Sequence, residues 1–381
     1  MIASNISTIT VTQTVIQSGG IFLNKDEIDF IKSKVSANQE PWKSTYNKLM
    51  NEYVPAAMSM PIQTVVNNGP APPNGNQHDY YTGNSQFGSD YSRTDYFNAQ
   101  KMSKSVRHLG LAYALTGNTS YADKAIQFIN GWCIDSATYM IPRYPYWNDG
   151  NFSSAMELAN TMPAVYYGAD LIWNYSGWNA SKKDAFKTWV STLVNETKWG
   201  DPCISNTGCN NWSHWALLIK SAGAALTNNT TKLTEAFNEW KRIIPFGIDN
   251  DGSFRQERIR GEGGLFYSTF RTIPMLGVAE IARHRPELGF DLYHYKLTDG
   301  TNRGLEKVLD FHAPYIINPS SWPYTKGSFD EPGRLSNNAA IYEIANKVYP
   351  KAIYRNVINY WKRPMYEDRI LGPTTLTHCI V

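Results

Sequence analysis

Two short stretches hold the residues best suited to chemistry. CNNWSHW, residues 209–215, crowds two amides, an imidazole and two indoles in front of an apolar run, ALLIKSAGAAL. A helix start needs one short polar side chain to accept from its first free N–H groups, so Asn211 and His214 exceed what capping requires. RQERIRGEGGLFYSTFR, residues 255–271, brings Arg255, Arg258 and Arg260 together with Glu257 and Glu262, followed by Gly261, Gly263, Gly264 and Tyr267. Amide donors beside a permanent, planar cation suit the neutralisation of a carboxylate. A phenol suits proton transfer. Taken alone, the arginine run reads equally well as a solvated surface face, with Glu257 and Glu262 orienting the guanidiniums.

These groups must be positioned by helices, because β-like runs are scarce. Residues 25–50 read as helical, with Asn24 and Glu27 as an N-cap and N3 pair and Ile28, Ile31 and Val35 at helical spacing. Residues 54–97, rich in Gly, Pro, Asn and Tyr, show no sustained period. Loops that long are usually functional or disordered, and the tyrosines favour a lid-like loop over a cleft, with Tyr80, Tyr81 and Arg93 against substrate. A helix then ends at Gly117, a C-terminal stop signal, and another starts at Ser120. Further helical windows span 153–175, 182–198 (Ser181 as cap), 212–226, 231–245, 264–284, 337–348 and 351–361. Helix pairs joined by short loops with no clear linker predict an all-α fold, one (α/α) toroid or incomplete helical barrel over residues 1–381, with 1–20 as an extended tail.

NNWSHW, followed about 50 residues later by E-x-x-R-x₆-Y, resembles the alginate lyase superfamily of polysaccharide lyases, the α/α-toroid type. The family's familiar form is NNHSYW, then an Arg and a Tyr seven residues apart. Asn211 stands at the second Asn, Trp215 at the closing Trp, Arg260 at the Arg, Tyr267 at the Tyr, and Glu257 ten residues before the Tyr. DYFNAQKMSKSVRHLGLAYALTGNTSYADKA is similar to the family's first-helix signature, so the resemblance covers roughly residues 20–350. The chain departs from the pattern at Trp212, where the family carries His. His214 follows two residues later, a rotation of ~200° on a helix.

The resemblance implies metal-independent β-elimination on a 4-linked uronate, of alginate (mannuronate-rich blocks first) or glucuronan, with no cofactor. The C5 proton is only weakly acidified by its carboxylate, and Arg260 and Asn211 are suited to neutralising that carboxylate as charge develops. A free phenol has a pKa of ~10, and a neighbouring guanidinium favours the phenolate. Family precedent makes Tyr267 the general acid and, for syn elimination, also the base. His214 is the candidate base for the anti route, its other reading being a histidine bonded within the barrel wall. Trp212, Trp215, Glu257 and His108 join Arg93, Tyr80 and Tyr81 as candidate substrate contacts, with His78 a further site candidate.

Bulk properties agree. Hydrophobic residues make up 42% of the chain, enough for a large core, and the mean hydropathy is −0.42. No apolar run approaches the roughly 20 residues of a membrane span. A net charge of +3 lacks the basic excess of nucleic-acid binders. The 12 Trp and 24 Tyr suit stacking on sugar rings, although a Trp-rich helical core accounts for many of them. The expected partner is an anionic polysaccharide met by a monomer. MIASNISTITVTQTVIQSGG does not read as a signal peptide, although such a substrate implies an extracellular or periplasmic enzyme. Cys203 and Cys209 could close a small disulfide loop there or remain free thiols. Two other readings compete. A glycoside hydrolase on a similar toroid would need two carboxylates flanking the scissile bond. A non-catalytic carbohydrate-binding protein would explain the aromatics but not the Asn–Arg–Tyr set.

Overall fold

The structure, a computed structural model, describes residues 20–83, 92–144, 153–198, 209–297, 300–301, 303–325 and 332–381. Most of the expected tail, Cys203 and residues 84–91 of the lid-like segment lie outside them. Among the described residues there is no β-strand, only two isolated bridges.

The helices are of two kinds, and their sequences say why. Met162–Leu171 is buried at every position. Asn211–Leu226 leaves only Trp212 and Lys220 partly exposed, and Gly264–Arg283 only Tyr267 and Arg283. Helices apolar all round belong inside. Together with Thr94–Thr116 and Pro332–Ala339 they form an inner row, each packing on the next. The outer helices are one-sided. Thr119–Cys133 buries Ala122, Ala125, Phe128, Ile129 and Trp132; Thr230–Gly247 buries Leu233, Phe237, Trp240 and Ile244. Ala180–Glu196, Leu305–Ile317 and Ala352–Trp361 complete this layer, each packed on an inner helix or its flank. The result is the expected all-α toroid.

Several boundaries differ from the sequence expectation. The 25–50 window is Lys25–Ser36 and Trp42–Lys48, interrupted where Asn38 takes a positive φ of 52° ahead of Pro41. The expected loop at 54–97 begins with a helical turn, Val54–Ser59, and the next helix already starts at Thr94. Window 153–175 divides into Ser153–Ala159 and Met162–Leu171, with Pro163 in the first turn of the second. Window 337–348 divides into Pro332–Ala339 and Tyr342–Val348. Asn179, not Ser181, caps Ala180–Glu196, and Asn118 caps the helix expected to start at Ser120. Leu305–Ile317 has no counterpart in the expectation: its period is regular, but Pro314 interrupts its last turn. The Asn24–Glu27 capping box forms as expected, and Gly117 ends its helix at φ 73°.

An ion-pair cluster joins the N-terminal helix to the ends of Gly264–Arg283 and Tyr342–Val348. Glu27 accepts from Arg283 and Lys347, each at 2.6 Å, and pairs with His284 at 2.8 Å. Burial would raise its carboxyl pKa, but the His284 hydrogen bond and the charges of Lys347 and Arg283 hold it well below the usual range. Arg283 also reaches Glu280 at 2.6 Å. The C-terminal helix Thr374–His378 packs on Tyr342–Val348 and on both N-terminal helices. No helix among the described residues is long and apolar enough to cross a membrane.

Two inner helices approach each other closely at Gly110 and Gly168. A Cβ on Gly168 would meet the Val106 carbonyl oxygen at 2.3 Å, and one on Gly110 would meet the Gly168 oxygen at 2.6 Å. Backbone on both sides cannot swing away as a side chain could, so the helices would have to separate. Gly168→Ala should therefore destabilise the protein by about 3 kcal/mol, the upper end of overpacking costs, as read by urea denaturation; an unchanged midpoint would contradict the close packing.

Candidate active site

Four of the inner helices line one cavity of about 560 Å³, which Met156 and Glu157 of Ser153–Ala159 complete. Thr94–Thr116 contributes Tyr96, Phe97 and Gln100, with Arg93 just before it. Asn211–Leu226 contributes Asn211 and Trp212, Gly264–Arg283 contributes Phe266, Tyr267 and Phe270, and Pro332–Ala339 contributes Arg334 and Asn337. Helix N-termini carry partial positive charge, and Arg93, Arg260, Arg334 and Arg369 add four guanidiniums to the lining. The cavity is built for anions.

The crowding in CNNWSHW resolves into separate tasks. Asn210 is the cap, its side chain accepting from the Trp212 N–H at 3.0 Å. Asn211 is thereby available for something else. Its backbone N–H and its side-chain amide both donate to Glu257 Oε1, the amide at 3.1 Å. Glu257 is fully buried. Burial raises its pKa, against the opposing pull of Arg271, Arg260 and the Asn211 N–H groups. Its second oxygen faces Arg260 Nη1 at 3.8 Å. Arg260 in turn lies over Tyr267, its guanidinium carbon 3.8 Å from the ring centre. One buried carboxylate thus links the amide and the guanidinium, and the guanidinium lies on the phenol.

His214 does not join them. It is fully buried, and its Nδ1 accepts from Arg271 Nε at 3.1 Å. Burial and the Arg271 charge hold its pKa well below the ordinary histidine value. It is turned into the wall and does not line the cavity; the ~200° separation from the cavity-facing Trp212 is realised because the segment is already helical. Arg271 also donates to the Cys209 carbonyl at 2.6 Å. Cys209 is disulfide-bonded, while Cys133 and Cys379 are free.

Other expected substrate contacts are likewise structural. Trp215 is buried against Phe270, ring centres 4.8 Å apart. His108 is buried, stacked on Tyr53 and bonded to the Tyr366 hydroxyl at 2.8 Å. His78 bonds the Tyr139 carbonyl at 2.6 Å and does not line the cavity. Tyr80 and Tyr81 are buried too: the Tyr80 hydroxyl donates to Glu157 and the Tyr81 N–H to Asp95, each at 3.0 Å. Aromatic side chains in a loop-like segment can anchor it downward as readily as face a cleft, and here they anchor it. Arg93 does line the cavity, stacked on Tyr96 at 4.2 Å and bonded to Glu157 at 3.2 Å.

Glu157, Asn160, Arg334, Asn337 and Arg369 line the cavity without having been singled out in the sequence. The last three lie 67 or more positions beyond Tyr267, and no local pattern distinguishes them. Tyr96 and Phe97 fall inside the first-helix signature, the one available signal for that wall. A second hollow of about 590 Å³ lies outside, between Ala180–Glu196 and Thr230–Gly247. Of its four lining cations, Lys232 and Arg242 pair with Glu235 and Glu239, and none of the Asn–Arg–Tyr set reaches it.

The family described as Alginate lyase matches residues 31–322. A solved alginate lyase from Bacteroides ovatus superposes with a TM-score of 0.80 at 21% identity, covering 96% of this chain and 100% of that one. Alginate lyase A1-III from Sphingomonas species A1 gives 0.71 at 17% identity, covering 96% of each chain. Among curated proteins none matches. At these identities the structures speak for the shared toroid, while the family match spans most of the sequence. The chain belongs to the alginate lyase family and is a polysaccharide lyase.

Proposed function

We propose that this lyase cleaves 4-linked uronan, mannuronate-rich alginate first and glucuronan as the alternative, by β-elimination that needs no metal. The observation that carries this reading is the convergence of Asn211, Arg260 and Tyr267 on one cavity wall, with Glu257 behind them. The uronate carboxylate is neutralised by the Arg260 guanidinium and by the Asn211 N–H not engaged by Glu257. That lets charge from the departing C5 proton spread onto the carboxylate, where fixed donors stabilise it more in the transition state than in the ground state. This is the role a cation would otherwise fill. Tyr267 takes the C5 proton and returns a proton to the leaving O4.

With Trp212 at the family's His position and His214 inside the wall, Tyr267 is left to act in both directions on the syn face. Trp212, half-buried at the cavity edge, offers an indole face for a sugar ring. Hydrolysis between two flanking carboxylates finds less support: among the described lining residues Glu157 is the one carboxyl, and Glu257 lies beneath the surface. The same reading takes residues 1–381 as one toroid domain, acting as a monomer on extracellular or periplasmic polymer.

On a panel of pure uronans, the wild type should generate the ultraviolet absorbance of an unsaturated non-reducing end, and Tyr267→Phe should lower kcat by roughly 10³-fold or more, the range of lost acid–base catalysis. New reducing ends without that absorbance would exclude elimination. Arg260→Ala should cost about 10²- to 10³-fold with the product unchanged. His214→Gln should lower thermal stability yet leave the pH profile of kcat in the folded enzyme unmoved; a lost titration would restore it as a base.

A further inference from the structure

The four arginines that line the cavity differ in what holds them. Arg93 is bonded to Glu157, and Arg260 faces Glu257. Arg369 has no such contact: among the described residues its guanidinium makes no hydrogen bond and no ion pair, and lies over the ring of Phe270, 4.7 Å from its centre. Its neighbour in sequence, Asp368, is taken by Lys104, which reaches both carboxylate oxygens at 2.7 Å. The backbone beneath Arg369 is nonetheless fixed. Buried Glu367 accepts from the N–H groups of Arg369, Ile370 and Leu371 at 2.9, 2.7 and 2.8 Å, and Arg107 donates to the Arg369 carbonyl at 3.0 Å. A rigid turn therefore presents a partly exposed guanidinium to the cavity.

Phe270 shows where that charge stands. It follows Tyr267 by three residues on Gly264–Arg283, so the two rings share a helix face, about 4.5 Å apart along the axis. Arg260 lies over the first ring and Arg369 over the second. Burial raises the Tyr96 pKa and the charges of Arg369 and Arg93 draw it back, so the Arg369 charge also reaches the wall formed by Thr94–Thr116. A cation drawn out of water without an ionic partner is costly, and a planar fork of donors matches a carboxylate. One uronate supplies one carboxylate, which Arg260 and Asn211 engage; the next stands on the adjoining sugar. We propose that Arg369 binds the carboxylate of the sugar adjoining the one that undergoes elimination, so that the site reads two consecutive uronates. The proposal rests on the uronan reading of this cavity and adds a specificity determinant to it: a lone uronate between neutral sugars fills the Arg260 position only.

Arg369→Met keeps an apolar stem over Phe270 and removes the charge. In the Tyr267→Phe protein, where turnover is suppressed, adding Arg369→Met should weaken binding of a mannuronate tetrasaccharide at least 10-fold by calorimetry, since a hydrogen bond to a charged group corresponds to roughly 10- to 100-fold. Arg260→Ala, measured alone and together with Arg369→Met, should give losses that multiply to within about twofold, as for groups that share no partner. In the otherwise wild-type enzyme, Arg369→Met should raise KM on polymannuronate about 10-fold or more and leave kcat within about threefold, the mark of binding made equally in ground and transition states. A packing role alone would lower the melting temperature without that split. Should the Met variant fail to fold, Arg369→Gln goes through the same measurements with the same expectations. Unchanged affinity, a loss that vanishes once Arg260 is gone, a fall in kcat at constant KM, or no binding by the Tyr267→Phe protein would overturn the proposal. Failure of the wild type to form unsaturated ends would instead strike at the lyase reading, with the tetrasaccharide affinities still deciding the role of Arg369.

Discussion

Glu257 is a carboxylate removed from water yet held at the junction of the two segments that carry the site. Burying such a group is costly unless it is hydrogen-bonded and faces opposite charge. Here the Asn211 backbone and side chain donate to one oxygen, and Arg260 and Arg271 supply the charge. The cost is met only if the start of the Asn211 helix and the turn before the Tyr267 helix sit where they do. Removing Glu257 would free Asn211 to rotate and leave Arg271 buried with less compensation. The positions of Asn211 and Arg260 are therefore tied to one buried carboxyl.

The toroid makes that junction possible. Three of its inner helices, Met162–Leu171, Asn211–Leu226 and Gly264–Arg283, are buried on nearly every face, so they pack side by side inside the ring. The amphipathic outer helices cover them. The Gly110–Gly168 approach draws two inner helices together, and the cluster around Glu27 ties the N-terminal helix to the ends of two others. The N-terminal ends of Thr94–Thr116, Asn211–Leu226 and Gly264–Arg283 bring partial positive charge to the cavity lining. The four guanidiniums, Arg369 over Phe270 and Arg334 over Phe266 among them, then add charge on aromatic supports that also suit sugar rings.

How much of this the sequence revealed depended on the range of the interaction. Local chemistry read well: the Asn24–Glu27 capping box, the stop at Gly117, the all-helical period and the Asn–Arg–Tyr spacing. Interactions between distant segments did not. Nothing in NNWSHW alone says that Asn210 caps while Asn211 bonds Glu257, or that His214 accepts from Arg271. Tyr80 and Tyr81 looked available because they lie in an irregular segment, whereas burial and the Glu157 and Asp95 acceptors turn them inward. Ser181 looked like a cap because hydroxyls cap helices, but Asn179 sits two residues earlier and accepts from Lys182 N–H. Arg334 and Arg369 reach the cavity only through the closure of the ring.

The most direct test is a crystal structure of the Tyr267→Phe protein with a bound mannuronate oligosaccharide. One uronate carboxylate should lie within hydrogen-bond distance of both the Arg260 guanidinium and the Asn211 amide, with its C5–H directed at the edge of the ring at 267. A carboxylate held instead by Arg334 and Arg369, with position 267 facing away from C5, would contradict the account.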